Sequence, residues 1–499
     1  MQGTFLSSSG VSLGDLLPDS RCFGGKKAHV TSCCGDSRQC KEGDVFVAIV
    51  GSRHDGHDHV HEAIERGAVA VLAERPLPVS VPVIVVDDTR DAYGRVCHAL
   101  AGHPADVVRT IGVTGTHGKT ITSMLIASVL EEDDRPTGIM GSLGYCDGRK
   151  TLSDVAVTPP PAQLANWLRS MANNDCQHAV VEASSEGLAQ RRLSGVDFDV
   201  AVLTNIRRAH IDQHGSVVNY RRIKARLFEQ LKPEGVAVIN ADDPASCALL
   251  SKIDHPVITF GINQAAELTA RVVERHSSEQ TFMLSAGSES VPVRTSMIGD
   301  HHVYNCLAAA AVGLASGVDL ATVVRGLESL HGVPGRMEQL GLDHDFATFV
   351  DVACAPDSLA ASLKSLRPVT SGRLICVFGA RGRQDHDERP LLGRVAERYS
   401  DLTVITSNNP RDEEPLRIAH DILDGCQYPG RAHVLPDRAR AIGWALGEAR
   451  RGDTILIAGR GNERVQCVGD QEVDFDDRDV VRYLLRSVGQ APIAFPRAA

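Results

Sequence analysis

The chain is poor in aromatic side chains: Phe, Trp and Tyr together make up 4% of its 499 residues. Platforms that stack successive nucleic-acid bases need such side chains, and a net charge of −11 leaves no broad basic surface for a nucleic acid. Small anions held by local basic groups are the expected ligands instead, with no nucleic-acid partner. No apolar run is long enough to cross a bilayer, and no basic segment followed by an apolar core opens the chain, so neither a membrane segment nor a signal peptide is expected. The thirteen cysteines include no Cys-x-x-Cys pair. An odd, scattered set points to free thiols in a reducing cytosol rather than a disulfide framework or a zinc site. Cys33-Cys34, the only adjacent pair, reads as core or surface thiols.

What is present is ordinary globular composition, 43% hydrophobic and 23% charged, over a length that suits about three domains. Short apolar strands alternate with helical patterns throughout, which predicts an α/β protein with mainly parallel sheets. Three blocks are expected. Residues 1–107 carry strands at Val45–Val50, Ala68–Leu72 and Val83–Val86, with a helix at Val60–Arg66. Residues 108–333 carry Ala179–Glu182, Val200–Thr204 and Val236–Ile239, and residues 334–499 carry Leu374–Phe378, Leu402–Thr406 and Thr454–Ala458. Gly332-Val333-Pro334-Gly335 is the expected hinge, and Gln490–Ala499 reads as a loose tail.

The most informative stretch is Val113-Thr114-Gly115-Thr116-His117-Gly118-Lys119-Thr120. It follows the apolar run Val107–Val113 and precedes Ile121, Met124, Leu125 and Val129 at helical spacing. Strand, glycine loop and helix is the arrangement in which backbone N–H groups cradle phosphates. Lys119 is placed to reach the terminal phosphates and the Thr120 hydroxyl to bind Mg²⁺. Val113 stands where the usual pattern has its first glycine, which leaves a shortened loop. Further on, Glu182 ends one apolar strand, Thr204-Asn205 ends the next, and His210-Ile211-Asp212-Gln213-His214-Gly215 precedes a helix Tyr220–Phe228 that carries Lys224. Singly these read as a solvated carboxylate, a structural histidine and a solvated basic face. In this order behind a phosphate loop they point to a nucleotide and metal site.

With Glu182-Ala183-Ser184-Ser185, Asn240-Ala241-Asp242-Asp243, Gly332 to Glu338 and Asn408-Asn409-Pro410-Arg411 added, nearly the whole chain resembles the Mur ligases, the ATP-dependent amide-bond synthetases of peptidoglycan precursor assembly. Asp36-Ser37-Arg38, Lys41 to Ala48 and Asp55-Gly56-His57 resemble the UDP-binding domain of the subgroup that extends UDP-N-acetylmuramoyl-alanyl-D-glutamate. The resemblance implies an N-terminal UDP-binding domain, a central phosphate-loop ATPase domain and a C-terminal Rossmann-like domain. It implies that Thr114, Gly115, Thr116, His117, Gly118, Lys119 and Thr120, with Asn305, Arg336 and Asp351, hold ATP. The third domain would then close over the nucleotide. Lys119, Glu182, His210 and Lys224 become the catalytic set, and Thr120, Glu182, His210 and Lys224, the last as N6-carboxylysine, become the metal set for Mg²⁺, with Mn²⁺ also compatible with a histidine ligand. Ser37, Thr158, Ser184, Gln190 and Arg192 match the contacts to the UDP-muramoyl dipeptide. Arg389, Asn408, Asn409, Pro410, Arg411, Gly459 and Glu463 match those to diaminopimelate, with Arg389 and Arg411 suited to clamp a carboxylate and Glu463 to pair an ammonium. A monomeric cytoplasmic enzyme acting on small molecules is implied.

The sequence also departs from the family. Asn408 stands where the family has Asp, Asp351-Val352-Ala353-Cys354-Ala355-Pro356-Asp357 lacks the family Tyr, His and Thr, and Gly379 to Asp385 carries Arg381 in a glycine-rich stretch. Glu186, Ala209, Asn462 and Val157 are further substitutions. Three readings stay open: a diaminopimelate-adding ligase; a relative using L-lysine, another acceptor or another carboxylate; and a divergent nucleotide-binding copy with little turnover. A folylpolyglutamate synthetase shares the short loop but should lack the N-terminal block.

Overall fold

The computed structural model describes residues 10–24, 28–51, 54–153, 155–207, 211–341, 344–384 and 386–487. His210, with Arg208 and Ala209, lies outside the described residues, as do Asp385 and the tail from Gln490. The chain forms two compact units, one of residues 1–268 and 308–326 and one of residues 269–307 and 327–499. All thirteen thiols are unbridged, and among the described residues no helix is long and apolar enough to cross a membrane.

Among the described residues, the first unit holds two mainly parallel sheets beside the short antiparallel pair Val11–Ser12 and His29–Val30. In the smaller, Ser32–Cys34, Asp44–Val47, Ala70–Ala73 and Val83–Val85 run parallel and Arg21–Phe23 closes the edge antiparallel. In the larger, the parallel strands lie in the order Thr137–Gly141, His178–Glu182, Arg109–Thr114, Phe198–Leu203, Leu231–Asn240, Val257–Gly261. Every residue of His178–Glu182 is buried, as expected where helices cover both faces of a parallel sheet. The first strand in sequence, Arg109–Thr114, sits between the third and fourth. The connections leave it in opposite directions, and the crevice at its C-terminal end is where open α/β sheets bind ligands.

The second unit repeats the principle. Ala347–Asp351, Thr454–Ala458, Leu374–Phe378, Leu402–Ile405 and Ala432–Val434 are parallel in that order, with Glu338–Leu340 antiparallel at one edge. Thr454–Ala458 returns to lie beside Leu374–Phe378, so the loops after these two strands open next to each other. The expected strands are all present within a few residues. The antiparallel pairs Gln280–Ala286 with Glu289–Thr295 and Val465–Val468 with Gln471–Asp474 had no counterpart in the sequence reading, because short half-exposed strands leave a weak alternation.

Candidate active site

The phosphate loop follows strand Arg109–Thr114 and ends at Gly118, which caps helix Lys119–Glu132. Gly118 has φ 85°, a backbone shape that glycine adopts without a Cβ penalty. At Gly115 a Cβ would come within 1.8 Å of Thr204 Oγ1, so that residue must be glycine for the next strand end to brace the loop. The brace is extensive. Thr204 Oγ1 donates to His117 O at 2.6 Å, Asn205 Nδ2 donates to the same oxygen at 3.1 Å, and His117 N donates to Asn205 Oδ1 at 3.0 Å. Thr114 Oγ1 donates to Ala183 O at 2.7 Å on the opposite side.

Two lysines converge on one carbonyl. Lys119 Nζ donates to Gly115 O at 2.9 Å and to Thr116 O at 3.3 Å, while Lys224 Nζ donates to Gly115 O at 2.8 Å. Lys224 is 1% exposed. Burial, reinforced by the Lys119 charge, pushes its ammonium well below the ordinary lysine range, because a low-dielectric site disfavours the charged form. Tyr220, one helical turn earlier, lies 4.8 Å beneath Lys224 Nζ and shares a hydrogen bond of 3.1 Å with Thr116 Oγ1. Beside the lysines, Thr120 Oγ1 donates to Glu182 Oε2 at 3.1 Å and lies 2.8 Å from Ser142 Oγ, and Ser142 N donates to Glu182 Oε1 at 3.0 Å. This buried group of hard oxygens suits a small divalent cation.

Behind Glu182, Thr158 Oγ1 donates to Glu182 O at 2.6 Å and lies 3.0 Å from Ser184 Oγ. Ser184 caps the short helix Ser185–Ala189 through Gly187 N. Arg192 donates to Thr158 O at 2.8 Å, to Gln190 Oε1 at 3.0 Å and to Glu186 Oε1 at 2.8 Å. Gln190 and Arg192 form one wall of a cavity of about 300 Å³, and Cys34, Asp36 and Gln39 form another. Ser37 sits in the turn between those last two, with its hydroxyl donating to Glu62 at 2.7 Å.

In the second unit, Asn305 is 4% exposed on helix Asp300–Ala315. Asp351 accepts from Val352 N at 2.8 Å and from Ser362 Oγ at 2.5 Å, and burial raises its carboxyl above the usual range. Arg336 donates to Asn462 Oδ1 at 2.9 Å. Around the adjacent loops, Asn408 is wholly buried and donates to Gly379 O at 3.3 Å and Gly459 O at 3.4 Å. Asn409 donates to Glu463 Oε2 at 2.8 Å and accepts from Arg460 at 2.9 Å. Glu463 also receives Arg381. Arg389 is 1% exposed and donates to Glu413 Oε2, Glu413 Oε1 and Asp421 Oδ2 at 2.8, 3.0 and 2.8 Å. That pairing holds the Glu413 carboxyl down at about 2. Arg411 is exposed with φ 56°.

Known proteins share this arrangement. The Mur ligase middle domain matches residues 113–313, the Mur ligase glutamate ligase domain 335–461, and the Mur ligase family catalytic domain 29–99. A UDP-N-acetylmuramoyl-L-alanyl-D-glutamate–2,6-diaminopimelate ligase of Geobacillus thermodenitrificans is 39% identical over 90% of this chain and 93% of its own. The chain belongs to the Mur ligase family. A ligase of the same name from Syntrophomonas wolfei is 38% identical over 92% of this chain and 95% of its own. A solved structure of a ligase of that name is 30% identical, covers 97% of this chain and 100% of its own, and has a TM-score of 0.70. The Mur ligase MurF of Thermotoga maritima in complex with ADP shares the fold, at a TM-score of 0.61 and 21% identity over 91% of this chain and 96% of its own.

Within this Mur ligase, Thr114 to Thr120, Glu182 and Lys224 come together as the motifs imply, and so do Thr158, Ser184, Gln190 and Arg192. Asn305, Arg336 and Asp351 belong to the second unit. The expected carboxylate clamp at Arg389 meets a different situation, because that guanidinium is already neutralised by two carboxylates. Glu463, expected to pair an ammonium, is held by Arg381 and Asn409. Ser142 and Tyr220 were not singled out from sequence. The local pattern around Ser142 carries no signal, but Gly141 does: a Cβ there would come within 2.1 Å of Glu182 Oε1.

Proposed function

We propose that this chain joins 2,6-diaminopimelate to the D-glutamate of UDP-N-acetylmuramoyl-L-alanyl-D-glutamate, with ATP converted to ADP and phosphate. What carries this reading is the convergence of Lys119 and Lys224 on Gly115 O beside the Thr120–Glu182 pair, in a chain 38–39% identical to two ligases of that name. The glutamate side-chain carboxylate attacks the γ-phosphate of ATP, ADP leaves, and an acyl phosphate forms. The acceptor amine then attacks the acyl carbon and phosphate departs. Lys119 and the loop N–H groups neutralise phosphate charge and fix its position. Thr120 and Glu182 would hold Mg²⁺, whose contribution is further charge neutralisation. Lys224, buried and biased toward the neutral amine, is suited to take up CO₂ as N6-carboxylysine with loss of a proton, which would turn a neutral amine into an anion. Gln190, Arg192, Thr158 and Ser184 would bind the muramoyl peptide and Ser37 its uridine end. Arg411, Asn409 and Gly459 would read the acceptor, and Arg389 would hold the loop that carries Arg411. The domain limits 1–107, 108–333 and 334–499, with a cytoplasmic monomer acting on small molecules, complete the proposal.

A second reading differs in the acceptor alone. It is favoured by Asn408 in place of an aspartate and by the prior pairing of Glu463 with Arg381. Phosphate release with Mg·ATP and the UDP-muramoyl dipeptide, offered meso-diaminopimelate or L-lysine, separates the two. Release with diaminopimelate and a tripeptide product by mass supports the first, and release only with another amine supports the second. No release with any amine, despite nucleotide binding, would sink both.

A further inference from the structure

The N-terminal sheet gathers thiols that the ligase reaction does not use. Cys33 and Cys34 are neighbours on strand Ser32–Cys34, and successive strand residues face opposite ways. Cys33 accordingly packs against Cys97, with 3.4 Å between the sulfurs, while Cys34 turns toward the chain that follows it. That chain folds back twice. Asp36 caps a turn over Ser37–Gln39, and Asp44 N bonds back to Lys41 O at 3.1 Å before strand Asp44–Val47 begins. The result brings Cys34 Sγ, Cys40 Sγ and a carboxylate oxygen of Asp44 within 4.8 Å of one another.

We propose that Cys34, Cys40 and Asp44 form a binding site for one thiophilic divalent cation of the Zn²⁺ class. Donor separations in a tetrahedral zinc–sulfur site are roughly 3.8 Å, given zinc–sulfur bonds of about 2.3 Å. Small side-chain rotations therefore close the set without moving the strands. Two thiolates and a carboxylate are soft enough to exclude Mg²⁺ and Ca²⁺. Asp44 is 1% exposed and Cys40 7%. The Asp44 carboxylate accepts from Ser32 Oγ and from Lys41 N at 2.7 Å, both neutral donors, and its two oxygens keep lone pairs for a cation. The Cys34 thiol now donates to Asp36 O at 3.0 Å. On binding, both thiols release their protons to solvent and the cation replaces them. Cys34 and Asp44 both line the cavity of about 300 Å³, which leaves room for a fourth ligand. The same cavity is walled by Gln190 and Arg192. A bound cation would thus tie together the two ends of the loop carrying Ser37, a consequence that rests on the function proposed above, whereas the metal site itself does not.

The test is optical and needs neither ATP nor substrate. Full-length protein, reduced and stripped with a chelator, is titrated with Co²⁺. The expected result is a thiolate-to-cobalt charge-transfer band that saturates at one equivalent and is erased by Zn²⁺. An oxygen-ligated Mg²⁺ site filled by Co²⁺ gives no such band. Cys34→Ser and Cys40→Ser must each lose the band, and Cys33→Ala, whose thiol packs against Cys97 instead, must keep it. Should a serine variant fail to fold, alkylation of the unmutated protein decides: Zn²⁺ must slow modification of the half-buried Cys34 and leave the exposed Cys22 reactive. Absence of the band in folded unmutated protein, its survival in either serine variant, or unprotected Cys34 would overturn the proposal.

Discussion

The phosphate loop and the acceptor loops sit at equivalent places, each beyond the C-terminal ends of parallel strands where the strand order reverses, yet they are held in opposite ways. Around the phosphate loop, side chains bond to backbone carbonyls and bring two lysine heads to one small volume: Thr204 and Asn205 grip His117 O, and both lysines share Gly115 O. Around the acceptor loops, charges neutralise one another, with Arg389 on Glu413 and Asp421, and Arg381 on Glu463. The first arrangement holds its lysine heads on neutral carbonyls, which an anionic ligand can replace. In the second, Arg389, Arg381 and Glu463 are already paired, so a ligand can use their charges only by displacing a partner. Preorganised charge is where catalytic energy resides, so substitutions in the two regions should fail differently.

The largest effect belongs to the lysines. Lys119→Ala should lower ADP formation by a factor of about 10²–10³ or more with the melting temperature nearly unchanged. Lys224→Ala should do nearly the same, with partial rescue by a short carboxylate if that residue works as a carbamate. A Lys119→Ala enzyme of full activity would end the comparison. Next comes Arg389→Met, which strands two carboxylates and should cost about 3–5 kcal/mol of stability, read by denaturant unfolding. A loss of turnover without that destabilisation would show that Arg389 touches substrate after all. Arg411→Ala should leave ATP binding intact and raise the acceptor KM by a factor of roughly 10–100, the loss of one charged hydrogen-bonding group at about 1.5–3 kcal/mol.

A smaller test concerns Asn408. Its amide donates to two carbonyls, and Asn408→Asp replaces a donor by an anion facing Gly379 O and Gly459 O. Destabilisation of about 1–3 kcal/mol is expected. Unchanged stability would mean that these loops readily adopt the arrangement the family aspartate requires. Most gradual is an effect of pH, absent near neutrality. Burial, with the nearby His103, pushes the His98 imidazole down to about 3, so it stays neutral in the folded chain while an unfolded one protonates near 6.5. Its contribution to stability is complete above pH 6.5 and is lost as pH falls toward 3, at up to about 1.4 kcal/mol per pH unit. His98→Leu should flatten that part of the stability profile.

Much of this could be read from the chain. The α/β class, most strands and the phosphate loop follow from apolar runs, glycine positions and the Lys119-Thr120 pair. Glu182 and Lys224 were found because their order behind the loop resembles a family, since neither has a local pattern of its own. Ser142 and Tyr220 escaped for the same reason: a serine after a strand and a tyrosine in a helix look like many others. Arg389 was legible as a cation, but its pairing with Glu413 and Asp421 was not, because residue type shows the charge and not what already balances it.

What the sequence determined alone is the phosphate cradle. Its residues lie within eight consecutive positions, and a strand, two glycines and a helix N-terminus make it legible, although Thr204 and Asn205 brace it from the next strand end. What only the tertiary structure decided is partnership: that Lys224 meets Gly115 O across 109 residues, that Glu182 ends beside Thr120, and that Arg389 arrives neutralised. Those pairings depend on which strand ends are neighbours. Strand order is settled by burying both faces of each sheet at once, a condition on the whole chain that no local segment contains.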